Sequence, residues 1–160
     1  MMKVELLCVG RLKDTFYAQA CREYEKRLGG FCHLRIQEIP EYKTPDNPSP
    51  AEIERALREE GSRLLAVLPE NAMAIALCIE GKALSSPQLA EWLDRTASLG
   101  KSNLCFLIGG SFGMDEAVKK RADLRLSMSP MTFPHTLARV MVLEQIYCAF
   151  SINRGSRYHK

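Results

Sequence analysis

The sequence predicts one α/β domain, a mainly parallel sheet flanked by helices, and two observations carry that prediction. Nearly continuous apolar runs of strand length recur at residues 3–9, 72–79 and 103–108, the pattern of strands buried on both faces. Longer amphipathic stretches with helix start and stop signals lie between them, so strands and helices alternate. The 160 residues, 46% apolar and 26% charged, suit a single soluble domain over 1–160 and exclude disordered, collagen-like and coiled-coil classes.

Residues 3–9, closed by Gly10, open the fold as a strand. Asp14 is placed to cap the next helix, where Phe16, Ala20, Tyr24, Arg27 and Leu28 recur at helical spacing before Gly29 and Gly30 stop it. Residues 32–39 alternate imperfectly and predict a second strand. Half of the eight prolines then fall between Pro40 and Pro50, which marks an exposed loop and a candidate flap beside a site. Ser49 and Pro50 open a charged helix with Ile53, Leu57, Leu64, Leu65 and Leu68 facing inward, weakened in its middle by Gly61. After the strand at 72–79, Ser86 and Pro87 start a helix with Leu89, Trp92 and Leu93 on one face, stopped by Gly100.

The strand at 103–108 runs straight into Gly109 and Gly110, and a short helix at 115–122 and a short strand at 123–127 follow. Pro134 opens a last helix that reaches about Ser151 and is apolar nearly all round, from Leu137 and Val140 to Ile146, Tyr147 and Phe150. Such a helix must be covered on every side. One sheet cannot do that, so the expectation is a subunit interface and a symmetric homodimer.

Composition narrows the function classes. Lys and Arg total 22 against 19 Asp and Glu, a net charge of +3 that neither indicates nor excludes nucleic acid. Six cysteines, Cys8, Cys21, Cys32, Cys78, Cys105 and Cys148, form no C-x-x-C pair and read as small buried hydrophobes of a reducing cytosol. His33, His135 and His159 are equally scattered, so no metal site is expected. No apolar stretch approaches the ~18 residues of a spanning helix, and the N-terminus lacks a signal-peptide pattern. A cytoplasmic protein without a membrane partner is expected.

Three segments carry candidate chemistry. Gly109-Gly110-Ser111-Phe112-Gly113 follows a strand and precedes a helix, the place where α/β proteins bind ligands; a tight structural turn is the alternative. No G-x-x-x-x-G-K-[ST] is present, and no G-x-G-x-x-G follows the first strand, so neither a P-loop, nor a dinucleotide fold, nor the common methyltransferase fold is supported. Met128-Ser129-Pro130-Met131-Thr132-Phe133-Pro134-His135 is irregular, and its backbone groups need partners outside a ladder. A ligand rich in donors and acceptors would provide them; alternatively the stretch opens the last helix, with Thr132 as cap, Pro134 in the first turn and His135 satisfied at the helix start. The tail, Asn153-Arg154-Gly155-Ser156-Arg157-Tyr158-His159-Lys160, combines three fixed cations with an aromatic ring and an imidazole, the mix that holds phosphates and stacks on a base; a frayed terminus is the alternative. Arg139 and Glu144, charges on an apolar helix, should be paired or aimed at a cavity.

Several segments recur together, in order, in one known family: Val9-Gly10-Arg11-Leu12-Lys13, Glu23-Tyr24-Glu25-Lys26-Arg27-Leu28, Glu80-Gly81-Lys82 with Ser85-Ser86, Ile108-Gly109-Gly110, Met131-Thr132-Phe133-Pro134-His135, and Gly155-Ser156-Arg157-Tyr158-His159-Lys160. Over essentially its full length the chain resembles the RlmH (YbeA) family, SPOUT-class 23S rRNA pseudouridine N3-methyltransferases. The resemblance implies a C-terminal trefoil knot, a homodimer, S-adenosylmethionine as methyl donor, and a pseudouridine of 23S rRNA in the assembled ribosome as acceptor. It also implies that Leu77, Gly109, Gly110, Met128, Ser129, Pro130, Met131, Thr132 and Phe133 line the cofactor pocket. The tail would reach the partner's site, with His159, Tyr158 and Arg154 as catalytic candidates and Arg154, Arg157, Tyr158 and Lys160 as RNA contacts. Cys148 stands where relatives carry Arg. A SPOUT enzyme acting on another RNA such as tRNA, or a non-catalytic ribosome-binding dimer, is the alternative.

Overall fold

The apolar runs anticipated as buried strands pair with one another in a single sheet. A computed structural model of the chain describes residues 1–159. Strands β1 (Met2–Val9), β2 (Cys32–Ile39), β3 (Met73–Ala83), β4 (Asn103–Ile108) and β5 (Leu124–Ser127) lie in the order β2-β1-β4-β3-β5, and every adjacent pair is parallel. Helices α1 (Thr15–Leu28), α2 (Pro50–Val67), α3 (Ser86–Ser98), α4 (Glu116–Arg121) and α5 (His135–Asn153) make the returns. The predicted mainly parallel α/β sheet is therefore the observed one.

Alternation along the central strands builds two cores. Val4, Leu6 and Cys8 of β1 and Leu104, Phe106 and Ile108 of β4 face α1, α3 and α5. Leu7 and Val9 of β1 and Cys105 and Leu107 of β4 face α2 and α4. The period of two sends successive side chains to opposite layers. Five of the six cysteines are buried and all six are free thiols, as their apolar settings imply. Burial pushes Cys8 and Cys105 up to about 12, so neither supplies a thiolate.

The strongest start signals act as expected. Ser49 and Glu52 form a reciprocal capping box at α2, and Ser85 and Gln88 form another at α3. Asp14 makes no side-chain cap at α1, and Pro134, not Thr132, stands at the N-cap of α5, where its carbonyl accepts the Ala138 N–H at 2.9 Å. Phe16 is 62% exposed. It precedes the buried Cys21 by five residues, which places it about 140° round the helix from the stripe that faces the sheet. Gly61 is required rather than weak: a Cβ there would lie 2.7 Å from Asp115 Cβ, where α4 begins against α2.

Pairing between β3 and β5 slips. Leu77 and Lys82 both align with Leu126, so residues 78–81 leave the ladder, and β3 continues beyond the expected end at 79. Helix α5 lies between α1 and α3 over β4, and all of residues 135–152 are buried or half-buried. Both flanks are covered from within the chain, so its apolar circumference does not by itself require a second subunit.

The two conspicuous charges of α5 are paired. Arg139, 3% exposed, donates from Nη1 to Glu38 Oε2 at 2.6 Å and from Nη2 to the Gly10 carbonyl at 3.3 Å. The same Glu38 oxygen accepts the Leu12 N–H at 2.9 Å, so one carboxylate joins β2, the β1–α1 loop and α5. Burial alone would raise the Glu38 carboxyl; the Arg139 guanidinium and the Leu12 N–H outweigh it and hold the group below its ordinary value of 4.5. Glu144 accepts from the Tyr158 hydroxyl at 2.7 and 3.0 Å.

Removing the Glu38 charge leaves a buried guanidinium without its counter-ion, so Glu38→Gln should destabilise the protein by about 1–2 kcal/mol in urea titrations at fixed protein concentration, solvent at the half-open carboxylate reducing the cost below that of a fully buried pair. Because the Glu38 carboxyl titrates lower in the folded chain, its contribution is present above 4.5 and is lost as pH falls through the depressed folded value. The acid-side decline in unfolding midpoint should be shallower in Glu38→Gln.

Candidate active site

A sheet whose strands are all parallel delivers every strand's carboxyl end to one edge, and the connections that leave there to opposite faces open a crevice. The helix after β3 lies in the layer of α1 and α5, whereas the helix after β4 lies in the layer of α2. Between these departures lies a cavity of ≈ 1150 Å³. Three segments wall it: residues 77–80, where β3 parts from β5, and the stretches 108–116 and 126–135 that leave the ends of β4 and β5. Glu54, Leu57 and Arg58 of α2 close one side, and Ala138 and Met141 of α5 another.

The glycines after β4 are dictated by contact. A Cβ on Gly109 would sit 2.2 Å from the Gly113 carbonyl oxygen, and Gly113 itself has φ +98°, a conformation that side chains disfavour. The Gly113 N–H donates to the Gly110 carbonyl at 3.1 Å and closes the turn. The loop is thus both a tight turn and a cavity wall. After β5, Ser127 Oγ donates to the Ser129 carbonyl at 3.2 Å and the Met131 N–H donates to Ser129 Oγ at 3.0 Å, so serine side chains satisfy part of a backbone that has no ladder.

Apolar side chains from Leu77, Ile108, Leu126, Met128, Phe133 and Met141 form one part of the lining, and charged groups form another. Lys119 Nζ pairs with Glu80 and, at 3.5 Å, with Glu116, which joins β3 to α4. Hydrogen bonding to Lys119 holds the Glu80 carboxyl below its ordinary value. The cavity thus combines apolar side chains with carboxylates that can accept hydrogen bonds. Among the described residues no three His, Cys, Asp or Glu side chains group as metal ligands, and no helix is long and apolar enough to cross a membrane.

Behind the glycine loop sits a residue that sequence reasoning missed. Glu60, 3% exposed, accepts the Tyr42 N–H at Oε2 (3.0 Å), while its buried Oε1 has no partner and would lie 3.2 Å from a Cβ on Gly110. It ties the proline-rich loop to the floor of the glycine loop, and Ser111 reinforces the link by donating to Glu41 at 3.3 Å. Burial pushes the Glu60 carboxyl up. Its only sequence signal was a charge one turn from the buried Ala56 and Leu64 of an amphipathic helix.

The expected pocket residues largely converge. Leu77, Gly109, Gly110, Met128, Ser129, Met131, Thr132 and Phe133 line the cavity, and Pro130, between two of them, does not. His135 lines it as well. Arg154, Tyr158 and His159 do not reach the cavity of their own chain. Helix α5 starts at the cavity and carries the chain 19 residues away, about 28 Å at 1.5 Å per residue. There Arg154 donates to the Gly30 carbonyl at 2.8 Å and lies over the Phe31 ring; the chain then doubles back along α5, so that Tyr158 rests against Tyr147 and Glu144 in the middle of the helix, and Arg157 and His159 are exposed. Lys160 lies outside the described residues. Cys148 is buried.

Comparison with known proteins settles the family. A family model described as "Predicted SPOUT methyltransferase" matches residues 2–159. The chain belongs to the SPOUT methyltransferase family. Among solved structures, a probable methylase family protein from Haemophilus influenzae Rd KW20 superposes on this SPOUT methyltransferase with a TM-score of 0.55 at 11% identity, covering 98% of this chain and 70% of that one. The SpoU methyltransferase AviRb from Streptomyces viridochromogenes, solved in complex with AdoMet, gives 0.46 at 13% identity, covering 96% and 58%. The first likeness extends to the whole α/β architecture.

A buried carboxyl with a raised pKa adds stability that is complete below 4.5 and is lost as pH rises through the folded value. Glu60→Gln removes that dependence. The unfolding temperature of the variant should gain on that of wild type as the pH rises above 4.5, because only wild type loses the stabilisation tied to the raised carboxyl. Thermal unfolding across that range checks it.

Proposed function

We propose that this SPOUT methyltransferase takes its methyl group from S-adenosylmethionine and methylates RNA at N3 of a pseudouridine in 23S rRNA of the assembled ribosome. The observation that carries the cofactor reading is the three-walled cavity in which Gly109 and Gly113 touch and leave backbone, not side chain, facing the ligand. When bound, that cofactor supplies a methyl group on a positively charged sulfur, activated for transfer to nitrogen. The apolar slot formed by Leu77, Leu126, Met128 and Phe133 accepts a flat adenine, the backbone of 128–133 offers donors and acceptors to its edge, and carboxylates such as Glu80 accept from hydroxyl or ammonium groups. The choice of pseudouridine N3 in 23S rRNA rests on the ordered segments shared with the RlmH family.

Proton management falls to the tail of a second copy. N3 of pseudouridine lies between two carbonyls and must lose its proton, so a base and a cation are needed beside the cavity. Because Arg154, Tyr158 and His159 line no part of the cavity of their own chain, the tail serves a partner's cavity in a dimer whose α5 helices run antiparallel. There the exposed His159 accepts the N3 proton, and Arg157 stabilises the charge that spreads onto the flanking oxygens. Arg154 and Tyr158, engaged with Gly30 and Glu144, hold the tail's root. The C-terminal trefoil knot is part of the same family reading.

Calorimetry should detect S-adenosylmethionine binding to wild type and none to Gly109→Ala, whose Cβ has no room beside Gly113. No heat from wild type would refute the cofactor reading, whereas heat from the variant equal to wild type would refute the part assigned to Gly109. In single-turnover transfer to ribosomes, followed by mapping of the modified base, His159→Ala should be slower by about 10² or more, with an altered pH profile. Mixing it with Gly110→Trp should restore part of the activity; confirmed mixed dimers without activity would refute service in trans.

A further inference from the structure

The corner between β1 and α1 is unused by the site described above, yet it stands beside it. Arg11 and Lys13 are exposed, and among the described residues neither makes an ion pair. Phe16, 62% exposed, and the half-buried Tyr17 form an aromatic pair with ring centroids 4.4 Å apart at 55°. A phenylalanine this open, on a helix face turned away from every core, has no packing role to explain it.

The corner is also rigidly placed. Glu38 holds the Leu12 N–H and Arg139 holds the Gly10 carbonyl, so the loop is clamped to the first turns of α5. A Cβ on Gly10 would lie 3.6 Å from the His135 ring, and His135 lines the cavity. The aromatic pair and its two free cations are thus fixed on the strand edge where an acceptor base must enter. A base inserted into a cavity leaves neighbours whose stacking has been broken and whose phosphates converge on the rim. An aromatic platform replaces lost stacking at about 1–3 kcal/mol per base, and cations neutralise phosphates.

We propose that Arg11, Lys13, Phe16 and Tyr17 form an RNA-contact surface that holds nucleotides flanking the base presented to the cavity. This rests on the RNA-methyltransferase reading above and adds a surface on the same subunit as the cavity, separate from the tail. RNA fits better than a second protein copy because the exposed ring shares its corner with the unpaired cations Arg11 and Lys13, and that corner packs through Gly10 on His135 of the cavity wall.

The test uses the full-length protein and assembled bacterial ribosomes. Phe16→Ala should raise the half-saturating ribosome concentration in single-turnover methyl transfer about tenfold, the equivalent of ~1.4 kcal/mol, with the saturated rate and S-adenosylmethionine binding unchanged. The double variant Arg11→Gln/Lys13→Gln should flatten the salt dependence of ribosome binding by about 1.4 in logarithmic slope, two single-strand phosphate contacts. Unchanged half-saturation and slope overturn the proposal. Sedimentation showing that Phe16→Ala shifts the protein toward monomer overturns it in favour of a surface covered by a second copy. If wild type binds S-adenosylmethionine but methylates no ribosome and no naked rRNA, the substrate reading fails first and the surface falls with it. Methylation by wild type with insensitive variants isolates the failure to this corner.

Discussion

Parallel pairing of all five strands is the constraint on which the rest of the molecule depends. A parallel neighbour cannot be reached by a hairpin, so each strand must be followed by a crossing of the sheet, and each crossing deposits a helix on one face. The same rule sends every strand-to-helix connection out of one edge. Two of those connections, after β4 and β5, meet the stretch where β3 parts from β5 around the cavity. The site is therefore a product of the sheet's direction, and its chemistry is written in short loops whose ends are fixed by buried strands.

Two carboxylates act at this edge by opposite means, Glu38 partly open to solvent and Glu60 buried. Glu38 stays charged because a guanidinium and a backbone N–H meet it, and it acts as the common anchor of β2, the β1–α1 loop and α5. Glu60 has one N–H for one oxygen and nothing for the other, and burial favours its neutral form. The first residue spends its charge on joining elements distant in sequence. The second keeps a polar group beneath the glycine loop, next to Gly110.

The parts of this fold legible in the sequence are those governed by local physics. Apolar runs located β1 and β4, the Ser-Pro pairs located α2 and α3, and glycine clustering located the turn after β4. What stayed illegible depends on partners far along the chain. Phe16 looked like a core residue because helical spacing does not say which stripe meets the sheet; Gly61 looked like a defect because Asp115 is 54 positions away. The circumference of α5 suggested a subunit contact because nothing local shows that α1 and α3 close on both of its sides. Resemblance singled out most of the residues that line the cavity, whereas Glu60 carried no motif.

One irregularity of the sheet links the site to the mechanics of its edge. At residues 78–81 β3 departs from β5, and both Leu77 and Lys82 return to the same partner, Leu126. The cavity is walled on one side by this departure and on another by the chain leaving β5. The outermost strand is only four residues long, and it is attached on both sides of a gap rather than along a continuous ladder. Anything that fills the cavity braces the two lips of that gap against each other. Occupancy is then felt as slower opening of the sheet margin, and the amide protons of β5 become the natural reporters of whether the SPOUT methyltransferase is loaded.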